Sequence, residues 1–134
     1  MLSEIYKSLA LDFILSGIMV LFYKDINWWK EVLKMSKLKH PMVAEDAFLA
    51  EGSVVKWNIV IGSQSSIWYN TVLRSEEGTI TIGNGTNLQD LSLVHTDPGM
   101  DLHIGNYVTI GHNAVIHNLK IGDNTLIGMG SILL

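Results

Sequence analysis

"IGNYVTIGHNAVIHNLKIGDNTLIGMGSILL", residues 104–134, repeats itself every six positions. Ile104, Ile110 and Ile116 are six apart, and after one step of five the spacing resumes at Ile121, Ile127 and Leu133. Upstream, the same step of six runs through Val43, Leu49, Val55, Ile61, Ile67 and Leu73, then through Ile82, Leu88 and Val94. Every marked position is Ile, Leu or Val. The breaks are informative. Leu73 to Ile82 is nine residues, a three-residue insertion, and Val94 to Ile104 is ten, a four-residue insertion. Ile116 to Ile121 is a one-residue deletion. Gly often follows the aliphatic residue, at 62, 83, 105, 111, 122 and 128. The residue four positions after it is usually small or β-branched, as at Ala47, Ser53, Ser65, Thr71, Thr86, Ser92, Val108, Ala114, Thr125 and Ser131, with Ile59 oversized. A period of six fits neither the 3.6 of a helix nor a simple alternating sheet. It fits short strands joined by turns and stacked coil on coil, with the aliphatic residue inward and a small residue at the corner. Gly is expected to relieve the backbone where the chain bends.

These columns resemble the hexapeptide-repeat family, whose motif is an aliphatic residue, Gly, two free positions, a small residue and one more. The resemblance covers about residues 43–134 and implies a mainly β fold, a left-handed parallel β-helix with three hexapeptides to each triangular coil. Residues in the same slot three hexapeptides apart then lie one above the other, at the 4.7–4.9 Å spacing of neighbouring strands. Arg74, His95 and His117 immediately follow Leu73, Val94 and Ile116, so they form one outward column. His95 and His117, 22 residues apart in sequence, become vertical neighbours able to share one zinc at about 2.0–2.1 Å per nitrogen. His112 occupies a different slot, on the preceding face, with Asp90 one coil below it. A neighbouring copy could bring its His112 to that metal across an interface, as a closed ring of head-to-tail contacts permits.

"VLRSEEG" (72–78), "TNLQDLSLVHTDPG" (86–99) and "IGHNAVIHNLKIGDNTLIGMGSILL" (110–134) together resemble the γ-class carbonic anhydrases. That resemblance implies a homotrimer with interfacial zinc sites, Fe2+ or Co2+ being alternatives. Each site would use His95 and His117 of one chain and His112 of the next, and would hydrate CO2 reversibly to bicarbonate by a metal-bound hydroxide. It also implies that Arg74 and Asp90 form an inter-subunit ion pair. Gln89 would hydrogen-bond the reacting water, and Glu77 would sit near the site as a proton carrier. Glu76 stands where the family commonly has Asp. The family usually continues into a further coil and a C-terminal helix, and its best-known active members have a longer acidic loop where this chain has "HTDPGMDLHIG" (95–105). A trimeric metal-binding or assembly module without catalysis therefore stays open, as does, less strongly, an acyl-CoA-dependent hexapeptide acyltransferase.

Composition bounds the rest. The 134 residues are 48% hydrophobic and 16% charged, enough for a compact domain. A net charge of −4 argues against a nucleic-acid partner, which needs clustered Lys and Arg. With no cysteine, disulfides, thiolate ligands and a cysteine nucleophile are excluded. Residues 1–36 read as an N-terminal helical, apolar extension, and residues 37–134 as the β-helix domain. "LALDFILSGIMVLFY" (9–23) is short for a span of roughly 20 apolar residues. It is expected to pack on protein, with a membrane anchor left open and a cytoplasmic location expected.

Overall fold

The structure, a computed structural model, describes residues 40–134. The extension expected over residues 1–36 lies outside the described residues. From Met42 onward the chain winds as a left-handed parallel β-solenoid, so the hexapeptide reading of the fold holds.

Its strands are short: β1 (Met42–Val43), β2 (Phe48–Leu49), β3 (Val54–Ile61), β4 (Ser66–Ile67), β5 (Val72–Ile82), β6 (Asn87–Leu88) and β7 (Leu93–His95). They continue as β8 (Asp101–Ile104), β9 (Thr109–Ile110), β10 (Val115–His117), β11 (Lys120–Ile121), β12 (Leu126–Ile127) and β13 (Ile132–Leu133). All pairings are parallel, and three aliphatic ladders result. Val43, Ile61, Ile82, Ile104 and Ile121 are successive register partners on the first face. Leu49, Ile67, Leu88, Ile110 and Ile127 line the second. Val55, Leu73, Val94, Ile116 and Leu133 line the third. The middle rungs are fully buried, Ile67, Leu73, Leu88, Val94, Ile104, Ile110 and Ile116 each showing 0% exposure. Burial of a side chain of this size contributes about 1.5–3 kcal/mol, so the ladders are the main source of stability.

The small column forms the corners because its hydroxyls bridge coils. Ser65 Oγ donates to Gly83 O at 2.7 Å and accepts from Thr86 N at 3.0 Å. Thr86 Oγ1 repeats this one coil on, donating to Gly105 O at 2.7 Å and accepting from Val108 N at 3.0 Å. Beside it runs a ladder of side-chain oxygens: Asn84 Oδ1 accepts from Ser63 N, Asn106 Oδ1 from Asn84 N, and Asp123 Oδ1 from Asn106 N. At the first coil, Asp46 accepts from Ser63 Oγ, and that bond holds its carboxyl below the ordinary value of 3.8.

The glycine column has a different cause from the one expected. The left-handed backbone sits just before the small residue, at Gln64, Gly85, Tyr107 and Asn124 on one corner and Asn70, Leu91 and Asn113 on the next. The glycines that follow the aliphatic ladder do not have positive φ. Those with a further coil above them allow close approach: a Cβ on Gly83 would fall 2.5 Å from Gly105 O, whereas Gly122 and Gly128, in the last coil described, would meet nothing closer than 3.7 Å.

The third corner is irregular, and all three breaks in the period stack there. Between Trp57↔Ser75 and Ile59↔Ile80, only Asn58 stands opposite residues 76–79. One coil on, the segment between His95 and Asp101 stands opposite the one between Arg74 and Thr79. In the next, Asn118 and Leu119 alone connect His117 to Lys120. The small column is replaced here by larger aliphatics: Ile59, Ile80 and Leu102 are register partners buried to 0–1% exposure, and Leu119 packs against the same core. The oversized Ile59 thus begins a fourth ladder, and the bulged residues above it are free to carry polar groups outward.

Candidate metal centre

The third face presents its polar column beside this irregular corner. Lys56, Arg74, His95 and His117 are successive register partners. Strand alternation in β5 turns Ser75 inward and leaves Arg74 and Glu76 on the same outward side, one coil below His95. Glu76 therefore meets both neighbours: its Oε1 is 2.7 Å from Arg74 Nη1 and its Oε2 is 3.1 Å from His95 Nε2. Arg74 Nη2 also lies 3.3 Å from His95 Nε2. Arginine has only donors, so His95 Nε2 cannot accept from Arg74 and donate to Glu76 at once. The ionised Glu76 is the stronger partner and favours the tautomer with the proton on Nε2. That leaves His95 Nδ1 with a free lone pair, directed at His117.

His117 Nε2 is 3.1 Å from His95 Nδ1, with the ring centroids 5.1 Å apart. Two nitrogens on one tetrahedral zinc, each at 2.0–2.1 Å, stand about 3.3 Å apart. The imidazoles already have close to that bite, and a hydrogen bond between them occupies it. Asp97 Oδ1 approaches the same His117 Nε2 at 3.4 Å. His95, Asp97 and His117 offer ligand atoms all within 4.8 Å of one another. The donor set, two imidazoles and a carboxylate, suits a divalent first-row ion.

A second polar group lies on the second face. His112 Nδ1 is 2.9 Å from Asp90 Oδ2, whose other oxygen accepts from Tyr69 N at 3.2 Å. Gln89 lies next to them and donates through Nε2 to Asn87 Oδ1 at 2.7 Å. Gln89, Thr109, Gly111, His112, Leu126 and Met129 border an open, largely apolar groove of about 420 Å³. His112 is half exposed, at 49%.

Residues 101–134 match the family described as bacterial transferase hexapeptide, six repeats. A probable carbonic anhydrase of Methanocaldococcus jannaschii is 44% identical over 92 residues, covering 69% of this chain and 58% of that protein. The carbonic anhydrase of Geobacillus kaustophilus is 43% identical over 98 residues, covering 73% of this chain and 54% of that one. A Bacillus cereus protein of solved structure, provisionally assigned as an acetyltransferase, matches with a TM-score of 0.64 at 31% identity, over 73% of this chain and 67% of its own. The chain belongs to the hexapeptide-repeat, left-handed β-helix family related to the γ-carbonic anhydrases and acetyltransferases. It spans little more than half the length of the two carbonic anhydrase relatives.

Within this hexapeptide-repeat chain, the residues singled out by sequence fall into two groups on two faces. His95, His117 and Arg74 belong to one, and His112, Asp90 and Gln89 to the other. Arg74 pairs with Glu76 in its own chain and Asp90 with His112, so an Arg74–Asp90 pair would have to form between chains. Glu77 is exposed on the insertion in β5, next to Glu76. Sequence reasoning missed Asp97. The ten-residue step from Val94 to Ile104 flagged an insertion there, but no period indicates that its start brings a carboxylate back over His117.

Glu76 orients His95 as carboxylates orient metal-binding histidines elsewhere, and loss of such a partner costs 10–100-fold in affinity. If this cluster holds a divalent ion, E76Q should weaken its binding by about tenfold or more. Competition against a chromophoric chelator measures it, and unchanged affinity would remove Glu76 from this role.

Proposed function

We propose that the protein is a carbonic anhydrase-like homotrimer that hydrates CO2 to bicarbonate at zinc sites shared between subunits. The observation that carries this is the 3.1 Å approach of His117 Nε2 to His95 Nδ1 on adjacent coils. His112 of the next subunit would provide the third imidazole. The separation of the two polar groups onto different faces is what a head-to-tail ring requires, because each chain then gives one half of a site on either side. An outward aliphatic column also runs beside the histidines: Val54, Val72, Leu93, Val115 and Ile132 are successive register partners. Ile132 is 70% exposed, Val54 38% and Leu93 37%, an apolar stripe suited to a subunit contact.

When bound, the zinc ion lowers the pKa of a coordinated water to about 7 and so supplies hydroxide at neutral pH. The chain's own residues do the rest. Gln89 arrives with His112 from the neighbour; Asn87 holds its amide nitrogen, which leaves the amide oxygen to accept from the reacting water and aim it. Glu77, on the exposed bulge, passes the released proton to solvent. Arg74 and Asp90 meet across the interface and set the register of the ring.

The test is stopped-flow CO2 hydration by the full chain loaded with zinc or, anaerobically, iron, alongside its mass by light scattering. A trimer with turnover that H117A abolishes is the expected result. A metal-loaded trimer without turnover would reduce the protein to a metal-binding module. The relation to acetyltransferases and the groove beside His112 favour the second reading, acyl transfer. Saturable acetyl-CoA binding that survives chelation would support it.

A further inference from the structure

From the turn that carries Asp97 we infer that each chain has its own three-ligand site for a divalent first-row cation, made by His95 Nδ1, His117 Nε2 and Asp97 Oδ1, which takes up the ion before any neighbour supplies His112. The inference rests on the metal reading of His95 and His117 given above.

Asp97 is held in place from several sides. Residues 97–100, Asp-Pro-Gly-Met, close a β-turn in which Met100 N donates to Asp97 O at 3.0 Å and Gly99 has φ +75. Pro at the second turn position and a positive-φ Gly at the third are the residues that a type II turn demands. Asn118, left-handed at φ 51, clamps the same aspartate twice. Its Nδ2 donates to Asp97 Oδ2 at 2.6 Å, and its Oδ1 accepts from Asp97 N at 2.8 Å. The Asn118 oxygen also lies 3.1 Å from the buried Thr96 Oγ1, whose single proton goes to Met100 O at 2.8 Å. One carboxylate oxygen is thus tied to Asn118, and the other is left 3.4 Å from His117 Nε2. This is the support expected behind a ligating carboxylate. Glu76 performs the same task for His95 from the other side.

Two imidazoles and one carboxylate leave coordination positions open, as in two-histidine, one-carboxylate iron sites. In the assembled ring, the neighbour's His112 approaches through those positions and replaces Asp97 as the third ligand. The cation can therefore be loaded onto single chains and carried into the trimer.

Co2+ alone serves as the probe, read by visible d–d absorption and by calorimetry on the full chain. H112A should still bind one Co2+ per chain, with the spectrum of a low-symmetry nitrogen–oxygen site. Adding D97N to H112A should weaken that binding about 100-fold or more, beyond the loss typical of an outer-shell partner. D97A should do the same if the asparagine ligates through its carbonyl. Circular dichroism checks that the variants are folded. If H112A binds no Co2+, or if D97N and D97A leave its binding unchanged, the single-chain site is wrong while the shared three-histidine site survives. If H95A and H117A in the otherwise unaltered chain leave Co2+ binding intact, both fail.

Discussion

Equal amounts of H117A and H112A chains, unfolded and refolded together, should recover about a quarter of the wild-type CO2 hydration rate, although neither variant alone has any. A shared site needs His95 and His117 from one chain and His112 from the next. An interface works only where an H112A chain supplies the first half and an H117A chain the second. Random mixing gives that order at about one interface in four. The effect is large because each variant is inactive for a different reason. H117A loses half of the bite that His95 and His117 form at 3.1 Å. H112A keeps an ion on its own Asp97, but a carboxylate in place of the third imidazole offsets part of the cation's charge, and the water it activates is less acidic. Activity, rather than metal content, is therefore the readout. Stopped-flow assays on the mixture and on each variant refolded alone decide the matter. No recovery from a mixture that re-forms trimers would place the whole site within one chain or remove it altogether.

The fold was readable from the sequence because a solenoid writes its period directly into the chain. One aliphatic residue per hexapeptide, from Val43 to Leu133, is the core, and each pairs with its equivalent one coil away. The register also placed His117 over His95 and His112 over Asp90, since a column needs only counting. What counting could not reach is the irregular corner. There the coils contain different numbers of residues, so sequence distance no longer fixes height or direction. Glu76 and Asp97 both lie at that corner, and both depend on local chemistry: the alternation of a continuous β5 for Glu76, a Pro-Gly turn and an Asn clamp for Asp97. The glycine column was likewise visible as a pattern but not in its cause, because close approach of the next coil is a tertiary fact.

The same corner predicts the most damaging single methyl group in the described chain. G78A should melt far below the wild type, because a Cβ on Gly78 would lie 1.8 Å from Met100 O and 2.9 Å from Met100 C. Those atoms are backbone and cannot rotate aside. Met100 O is held by Thr96 Oγ1 at 2.8 Å, and Met100 N closes the turn onto Asp97 O. Below, Gly78 O is fixed by Asn58 Nδ2 at 2.7 Å. Relief requires the 97–100 turn to lift, which breaks the Thr96 bond and draws Asp97 away from His117. Overpacking of this kind costs about 1–3 kcal/mol and sometimes more, and a clash with backbone held by two hydrogen bonds puts this case at ~3 kcal/mol. For a domain of this size that is a fall in Tm of roughly 15 °C. Co2+ affinity in the H112A background should fall with it, since Asp97 moves. G99A is the control. Its Cβ meets nothing within 4 Å, so only the left-handed φ of +75 is strained, at about 1–2 kcal/mol. Calorimetric melting of the two variants separates crowding from backbone strain. If G78A melts as high as G99A, the coils at this corner are not in the contact that brings Asp97 to the histidines.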